Sequence, residues 1–409
     1  VLCWEKKRHP LPLPARRYDP QRPIFFIKCG SFPMTEVDTD MRKESAIKFV
    51  DLAAQFEGHR DEIMQCVERV FVSGKFVGGE EGDLFEKEVA DYCGVSHAVA
   101  LNSGTDALML GMSVLGIGPG DEVITPPNSF IASTAAIARL GATPIFADVR
   151  DDMNIDPDKF AAAISPRTKA VMPVHLTGRI ADMDPILEIA QKNNLIVVED
   201  ASQAFGSLYK EKIAGSFGHM GCFSAHPLKN LNAAGDAGFL LTDDAEVAEK
   251  MASLRNHGIV GKGRSEIFGV VSRMDTIQAA LLRLKLKLLP EVIRRRRDNA
   301  KIYRELLDDV HIYVPPEKPY EFNTYHTMVI RVERRDQLRR ALSEKNIGSA
   351  IHYETPIHLQ PAAVSLGYKA GDFPITEQQA GNILSIPVHQ DLMPGDIERV
   401  VETINGFYG

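Results

Sequence analysis

The feature that most constrains this chain is an alternation of short apolar stretches with helix-like ones between residues 97 and 200. His97–Leu101, Glu122–Thr125, Pro144–Ala147, Ala170–Val174 and Leu195–Glu199 have the length and residue types of buried strands. Thr105–Leu115, Ile131–Leu140 and Pro185–Asn193 between them read as helices. Strands alternating with helices of roughly ten residues build right-handed βαβ units on a mostly parallel sheet. Ligands of such sheets sit at the carboxyl ends of the strands, which is where chemistry is to be sought.

On either side the pattern changes. Upstream, Gln55–Val72 reads as one amphipathic helix and Leu84–Tyr92 as another, with a turn at Phe76-Val77-Gly78-Gly79. Downstream of Gly238-Phe239-Leu240-Leu241, a long helix carrying Met274, Ile277, Leu281, Leu284, Leu288 and Val292 leads to a second unit. That unit reads as strand Met328–Val332, helix Gln337–Lys345 and strand Ser349–Tyr353. The arginine run Arg294–Arg297 is expected to be a solvated helix face. The expected fold is therefore α/β. A large, mostly parallel-sheet α/β/α domain spans 45–290, and a smaller C-terminal α/β domain spans 291–409. The first 33 residues carry six prolines, seven basic side chains against two acidic ones, and no amphipathic period, and residues 1–44 are read together with them. They are expected to form a loosely ordered leader, with Met34 and Met41 as downstream candidate starts.

Composition excludes several classes. The 409 residues are 44% hydrophobic and 25% charged with a formal net charge of −8, the balance of a soluble globular protein. No apolar run approaches the ~18–20 residues of a membrane span. No concentrated basic face marks a nucleic-acid binder. The five cysteines form no CxxC pair, so a reducing, cytoplasmic location is expected. No metal is expected, because His175, His219, His226, His257, His352, His358 and His389 are dispersed without ligand spacing. Gly116-Ile-Gly118-Pro-Gly120 precedes a strand instead of following one, so it is a turn and not a dinucleotide fingerprint.

Three short segments carry chemistry. Asn102-Ser103-Gly104-Thr105-Asp106 follows a strand and opens a helix, where free N–H groups, the helix dipole and two hydroxyls favour a phosphate. The same composition also serves as an ordinary helix cap. Asp200 ends the strand Leu195–Glu199, with Gln203 three residues on. A buried carboxylate needs a cation or hydrogen-bond donors. It either caps the next turn or holds a ring nitrogen protonated. Lys229 follows the apolar stretch Cys222-Phe223-Ser224-Ala225, and a desolvated lysine loses its charge readily and forms an imine with an aldehyde. A phosphate cradle, a buried carboxylate and an imine-forming lysine together are what pyridoxal 5′-phosphate (PLP) needs.

The residues Asn102 to Leu108, Gly116 to Ile124, Glu199-Asp-Ala-Ser-Gln-Ala204, Phe223 to Asn230, Arg255-Asn-His-Gly258, Ser272-Arg-Met-Asp275 and His352-Tyr353 resemble the DegT/DnrJ/EryC1/StrS group of PLP-dependent sugar aminotransferases. The resemblance runs from about Phe49 to the C-terminus. It implies the fold-type I, aspartate-aminotransferase-like architecture. It further implies that Lys229 binds the cofactor's aldehyde, Asp200 pairs with the pyridine nitrogen, and Gln203 lies near the phenolic oxygen. Gly104, Thr105 and Ser224 are implied to bind the phosphate, and Phe130 to stack on the ring. By residue type alone, Phe130 would be read as core. His257, Arg273, His352 and His358 fall in loops that the family uses near substrate. One departure stands out. The family often has Gly-Tyr-Asn-Ser-Arg where this chain reads Gly269-Val270-Val271-Ser272-Arg273. That Asn normally reaches the other subunit's phosphate, so either Ser272 substitutes for it or the contact is lost.

The resemblance implies a homodimer and a transaminase acting on a keto-sugar, nucleotide-linked, with glutamate or glutamine as amino donor. The pathways implied are amino-sugar, cell-surface polysaccharide or secondary-metabolite biosynthesis. Two alternatives stay open: a PLP enzyme acting on a keto-cyclitol or catalysing dehydration, and a non-enzymatic PLP-binding regulator. Dehydrating relatives replace the lysine by His, and Lys229 opposes that reading.

Overall fold

The computed structural model describes residues 46–261 and 263–409; the leader expected over 1–44 lies outside them. The central sheet has seven strands. In spatial order they are His97–Leu101, Gly238–Thr242, Met220–Ser224, Ile196–Asp200, Thr168–Val171, Glu122–Thr125 and Thr143–Phe146. All run one way except Gly238–Thr242, which is antiparallel to both its neighbours. The carboxyl ends Leu101, Thr125, Asp200 and Ser224 therefore share one edge. Gly238 starts its strand at that same edge, in register with Leu101 on one side and Ser224 on the other.

Side-chain alternation along each strand feeds two cores. Val99, Val123, Val198, Cys222 and Leu240 face one layer of helices. Ala100, Ile124, Val197, Phe223 and Phe239 face the other. On the Ile196–Asp200 strand this alternation aims Asp200 to the Val198 face and Glu199 to the Val197 face.

The smaller unit is a three-stranded antiparallel sheet, Ile312–Tyr313, Met328–Val332 and Ile383–Ile386. Helices Arg335–Glu344 and Asp396–Tyr408 cover it through Leu338, Leu342, Val400 and Ile404. Helix Thr276–Leu306 runs 31 residues from the larger core into this one, so residue 290 lies inside it. Ile47 bridges Ile347 and also belongs to the C-terminal core. No helix among the described residues is long and apolar enough to cross a membrane.

Three expectations are corrected. Ser349–Tyr353 is not a strand: it meets the outer edge of Ile383–Ile386 through one bridge only, Ala350 to Ser385. Gln55–Val72 is not one helix. Leu52–Gly58 and Arg60–Ser73 are separate, with His59 outside helical geometry between them. The arginine run is not uniformly solvated. Arg294 and Arg295 pair with Glu291 at the surface, but Arg296 is 2% exposed and donates to Gln390 and to the carbonyls of Tyr325 and His326. Helical spacing puts adjacent arginines on different faces, and the second lobe covers one of those faces.

Candidate active site

The helix Gly104–Val114 begins where the Leu101 strand ends. Ser103 caps it: its hydroxyl accepts from Asp106 N–H at 3.1 Å, and its carbonyl accepts from Ala107 N–H at 3.1 Å. Gly104 and Thr105 N–H are then the free donors of this terminus. Close packing leaves no room for side chains around them. A Cβ on Gly104 would lie 2.7 Å from Ser224 Cβ, and one on Gly238 would lie 2.4 Å from Gly104 N. Both glycines are required by this approach of helix start to strand ends. The result is a bare backbone cradle bordered by Ser224.

Asp200 is 4% exposed. Its Oδ2 accepts from Ser133 Oγ at 2.6 Å, and its Oδ1 accepts from Ser202 N–H at 3.2 Å. The turn-capping role read from sequence is thus real, yet two hydrogen bonds leave acceptor capacity on the carboxylate. Ser133 ties Asp200 to the helix Ile131–Arg139, whose first residue is preceded by Phe130. Phe130 is 55% exposed, not core, and its ring lies 5.8 Å from that of Tyr353.

Lys229 lies in the turn after the Met220–Ser224 strand, its N–H donating to His226 C=O at 2.8 Å. Burial pushes its amine down to about 8, against the opposing pull of Asp200. Gln203 accepts from Thr177 N–H at 2.8 Å and donates to the Tyr353 hydroxyl at 3.2 Å. Burial and the charge of Asp200 hold the Tyr353 phenol well above its usual range.

The substrate candidates scatter. His352 joins the group: burial, then Lys229, depress its imidazole to about 4. His358 is buried, with Nε2 on Glu377 at 3.0 Å and its ring against Phe146 and Phe373. Arg273 donates to Asn256 at 2.9 Å, and His257 is an exposed loop residue. Ser272 is fully buried, with its hydroxyl on Asn102 Oδ1 of its own chain at 3.1 Å, while Val271 is exposed.

Four residues here have little mark in the sequence. Tyr353 stands out only within a motif, and His326 and Thr177 carry no local signal. Glu199 is fully buried and accepts from His175 Nε2, Gly215 N–H, Phe217 N–H and Gly218 N–H at 2.6–2.9 Å. Its anchoring role appears only once the 213–218 loop folds over the strand.

The residues fit PLP. The backbone cradle accepts a phosphate, Asp200 has an acceptor to spare, Lys229 is desolvated, and an exposed aromatic ring adjoins them. The comparisons agree. The model of the DegT/DnrJ/EryC1/StrS aminotransferase family matches residues 58–405. The chain is 40% identical to a UDP-N-acetyl-3-dehydro-alpha-D-glucosamine 3-aminotransferase of Acidithiobacillus ferrooxidans, over 89% of this chain and 98% of that one. It superposes on the crystal structure of S. venezuelae DesV with a TM-score of 0.86 at 40% identity, covering 88% of this chain and 98% of the other. The PLP form of the putative sugar aminotransferase Spr1654 from Streptococcus pneumoniae matches with a TM-score of 0.81 at 26% identity, over 85% and 95%.

Proposed function

This chain belongs to the DegT/DnrJ/EryC1/StrS aminotransferase family, and from that premise we propose that it transfers an amino group from glutamate or glutamine to the keto group of a nucleotide-linked sugar, with PLP held at Lys229. The observation that carries the reading is the meeting of Asp200, Lys229 and the Gly104 helix start at one sheet edge. When bound, the cofactor supplies an electron sink for the carbanion left by loss of a Cα proton.

The chain's own residues do the rest. Asp200, fixed by Ser133 and Ser202, accepts a hydrogen bond from the ring nitrogen and opposes its positive charge. Gly104 and Thr105 N–H and the Ser224 hydroxyl take the phosphate. The exposed Phe130 would stack on the cofactor's ring. Lys229 Nζ, with its lowered proton affinity, would act as the base that takes the Cα proton of the donor when it is not itself bonded to the cofactor's aldehyde.

The same reading includes a homodimer in the cytoplasm. Ile267, Phe268, Val270 and Val271 are exposed, and so are Phe71, Val72, Phe76 and Val77. The second group is tied to the chain a few residues past the first: Val77 bridges Asp275, and Thr276 N–H donates to Phe76 C=O at 3.0 Å. Exposed large apolar side chains of this number ask for a partner, and a second copy fits the family premise. Ser272 has its hydroxyl on Asn102 of its own chain, which favours the reading that it does not replace the family's cross-subunit Asn.

The test is incubation of PLP-loaded protein with glutamate and a panel of nucleotide 3- and 4-keto-sugars, followed by mass spectrometry. Gain of an amino group on one member identifies the substrate. Turnover only with a keto-cyclitol would replace the sugar assignment. Light scattering reads the assembly, and a competent monomer would remove the dimer.

A further inference from the structure

An enzyme of the proposed kind must admit two unlike molecules to one cleft in turn. The amino donor brings an α-carboxylate; the acceptor brings an uncharged sugar ring. A fixed guanidinium would suit the first and be left desolvated and unpaired under the second. The arginines on the elements around Lys229 are in fact engaged elsewhere. Arg179 pairs with Glu321 at 3.1 Å, and Arg297 with Glu317 at 2.7 Å. Arg296 is spent on Gln390 and two carbonyls, and Arg273 gives Nη1 to Asn256 while its Nε is buried without a partner.

The basic groups in electrostatic reach of Lys229 include two imidazoles, those of His326 and His352. The backbone from Asn323 to Thr327 is stitched across the cleft. Thr324 N–H donates to Gly178 C=O at 3.0 Å, and Thr324 C=O accepts from Asn230 Nδ2, next to Lys229, at 3.0 Å. Thr327 N–H reaches Thr177 C=O at 3.3 Å. Two residues in this contact, Thr177 (φ 63°) and Tyr325 (φ 47°), adopt left-handed backbone, which bulky side chains adopt at a cost. A Cβ on Gly178 would lie 2.8 Å from the amide nitrogens of both Tyr325 and His326. This tight crossing brings His326 within electrostatic reach of Lys229, His352 and His226. Its Nδ1 is buried with no hydrogen-bond partner. His352 is held by Nδ1 on Ser385 Oγ at 2.9 Å and by rings of Phe49 and Tyr353 at 5.7 and 5.3 Å.

Resting on the aminotransferase reading, we propose that His326 and His352 form the seat of the donor's α-carboxylate, take up a proton as it arrives and release it when the sugar takes its place. Burial keeps both imidazoles neutral beforehand, His352 near 4 and His326 well below its usual value. The groups acting on His326 are Lys229, Arg296, His352 and His226; Lys229 acts on His352. All of them disfavour a second cation, and an incoming carboxylate reverses that balance. A neutral imidazole N–H then suits a sugar hydroxyl as well as the charged form suits a carboxylate.

The test is calorimetric titration of holoenzyme with glutarate, an unreactive dicarboxylate, in two buffers of different ionisation enthalpy. Wild-type protein is expected to take up protons on binding at pH 7.5, and His326→Asn and His326→Gln to lose at least about half of that uptake. Glutarate affinity and the KM for glutamate should worsen about tenfold or more in these variants, with the sugar KM changed less than about twofold. Should the His326 variants fail to fold, His352→Gln carries the same expectations. Unchanged proton uptake overturns the seat, as does a rise in donor KM confined to Arg273→Gln. Proton-linked glutarate binding in a protein that never transaminates would keep the seat and sink the activity.

Discussion

The two walls of the cleft are built from different material. On the sheet side, Asp200 and Ser224 end strands and Lys229 follows one by a short turn, so backbone pairing on both flanks fixes them. On the other side, His326, His352 and Tyr353 sit on loops held by side-chain contacts and positive-φ backbone. Groups that act the same way on every substrate belong on the rigid wall; groups that must answer to two substrates belong on loops. The contrast repeats within the sheet. Glu199 and Asp200 are consecutive buried acids, but Glu199 spends itself on four donors of its own chain. Asp200 has two and keeps capacity for a ligand.

The strongest blow to the comparison falls on the rigid wall. Lys229→Ala is expected to lose at least ~10⁴-fold in turnover and the visible absorbance gained when PLP is added. Residual turnover near wild-type would dissolve the distinction between the walls. In wild-type protein the rate of PLP capture should climb with pH and level off above about 8, because the ammonium form cannot attack the aldehyde. An unperturbed lysine would keep climbing beyond pH ~10. Stopped-flow absorbance across that range separates the two.

Next comes the pair on one strand. Asp200→Asn should lose roughly 10²–10³-fold in kcat while stability to urea changes by less than about 1 kcal/mol, since an amide oxygen still accepts from Ser133. Glu199→Gln should do the opposite, losing ~1–3 kcal/mol of stability with a much smaller loss in kcat. Equal effects on both quantities in both variants would mean that the two acids do one job.

Smaller effects sharpen the picture of the loop wall. Arg296→Met is expected to cost ~1–3 kcal/mol by leaving the Tyr325 and His326 carbonyls without their donor. It should also raise the KM for the amino donor. Arg294→Gln, two residues away on the exposed side, should change neither stability nor kinetics measurably. A destabilised Arg294 variant would show that the run acts as a unit after all.

Much of the larger unit is legible along the chain. Strands His97–Leu101 and Glu122–Thr125 fall where their apolar patterns place them, as does Met328–Val332 in the smaller unit. The glycines and hydroxyls before a helix, the acid at a strand end and the lysine beyond an apolar strand are local signals, and the sheet brings them to one edge. The second wall leaves no such mark. Ser349–Tyr353 has the residues of a strand, but it meets the edge strand Ile383–Ile386 at a single bridge, Ala350 to Ser385. Phe130 has the residue type of a core position and is half exposed.

By itself the sequence determined the layered α/β architecture and the order of phosphate cradle, acid and lysine, because hydrophobic period and helix-start chemistry act within a few residues. Only the folded chain decided which of two neighbouring acids is spent on structure, which arginine in a run of four is buried, and which histidines stand over Lys229. Those outcomes depend on contacts between segments tens to hundreds of residues apart, and no local pattern encodes the partner that another segment will supply.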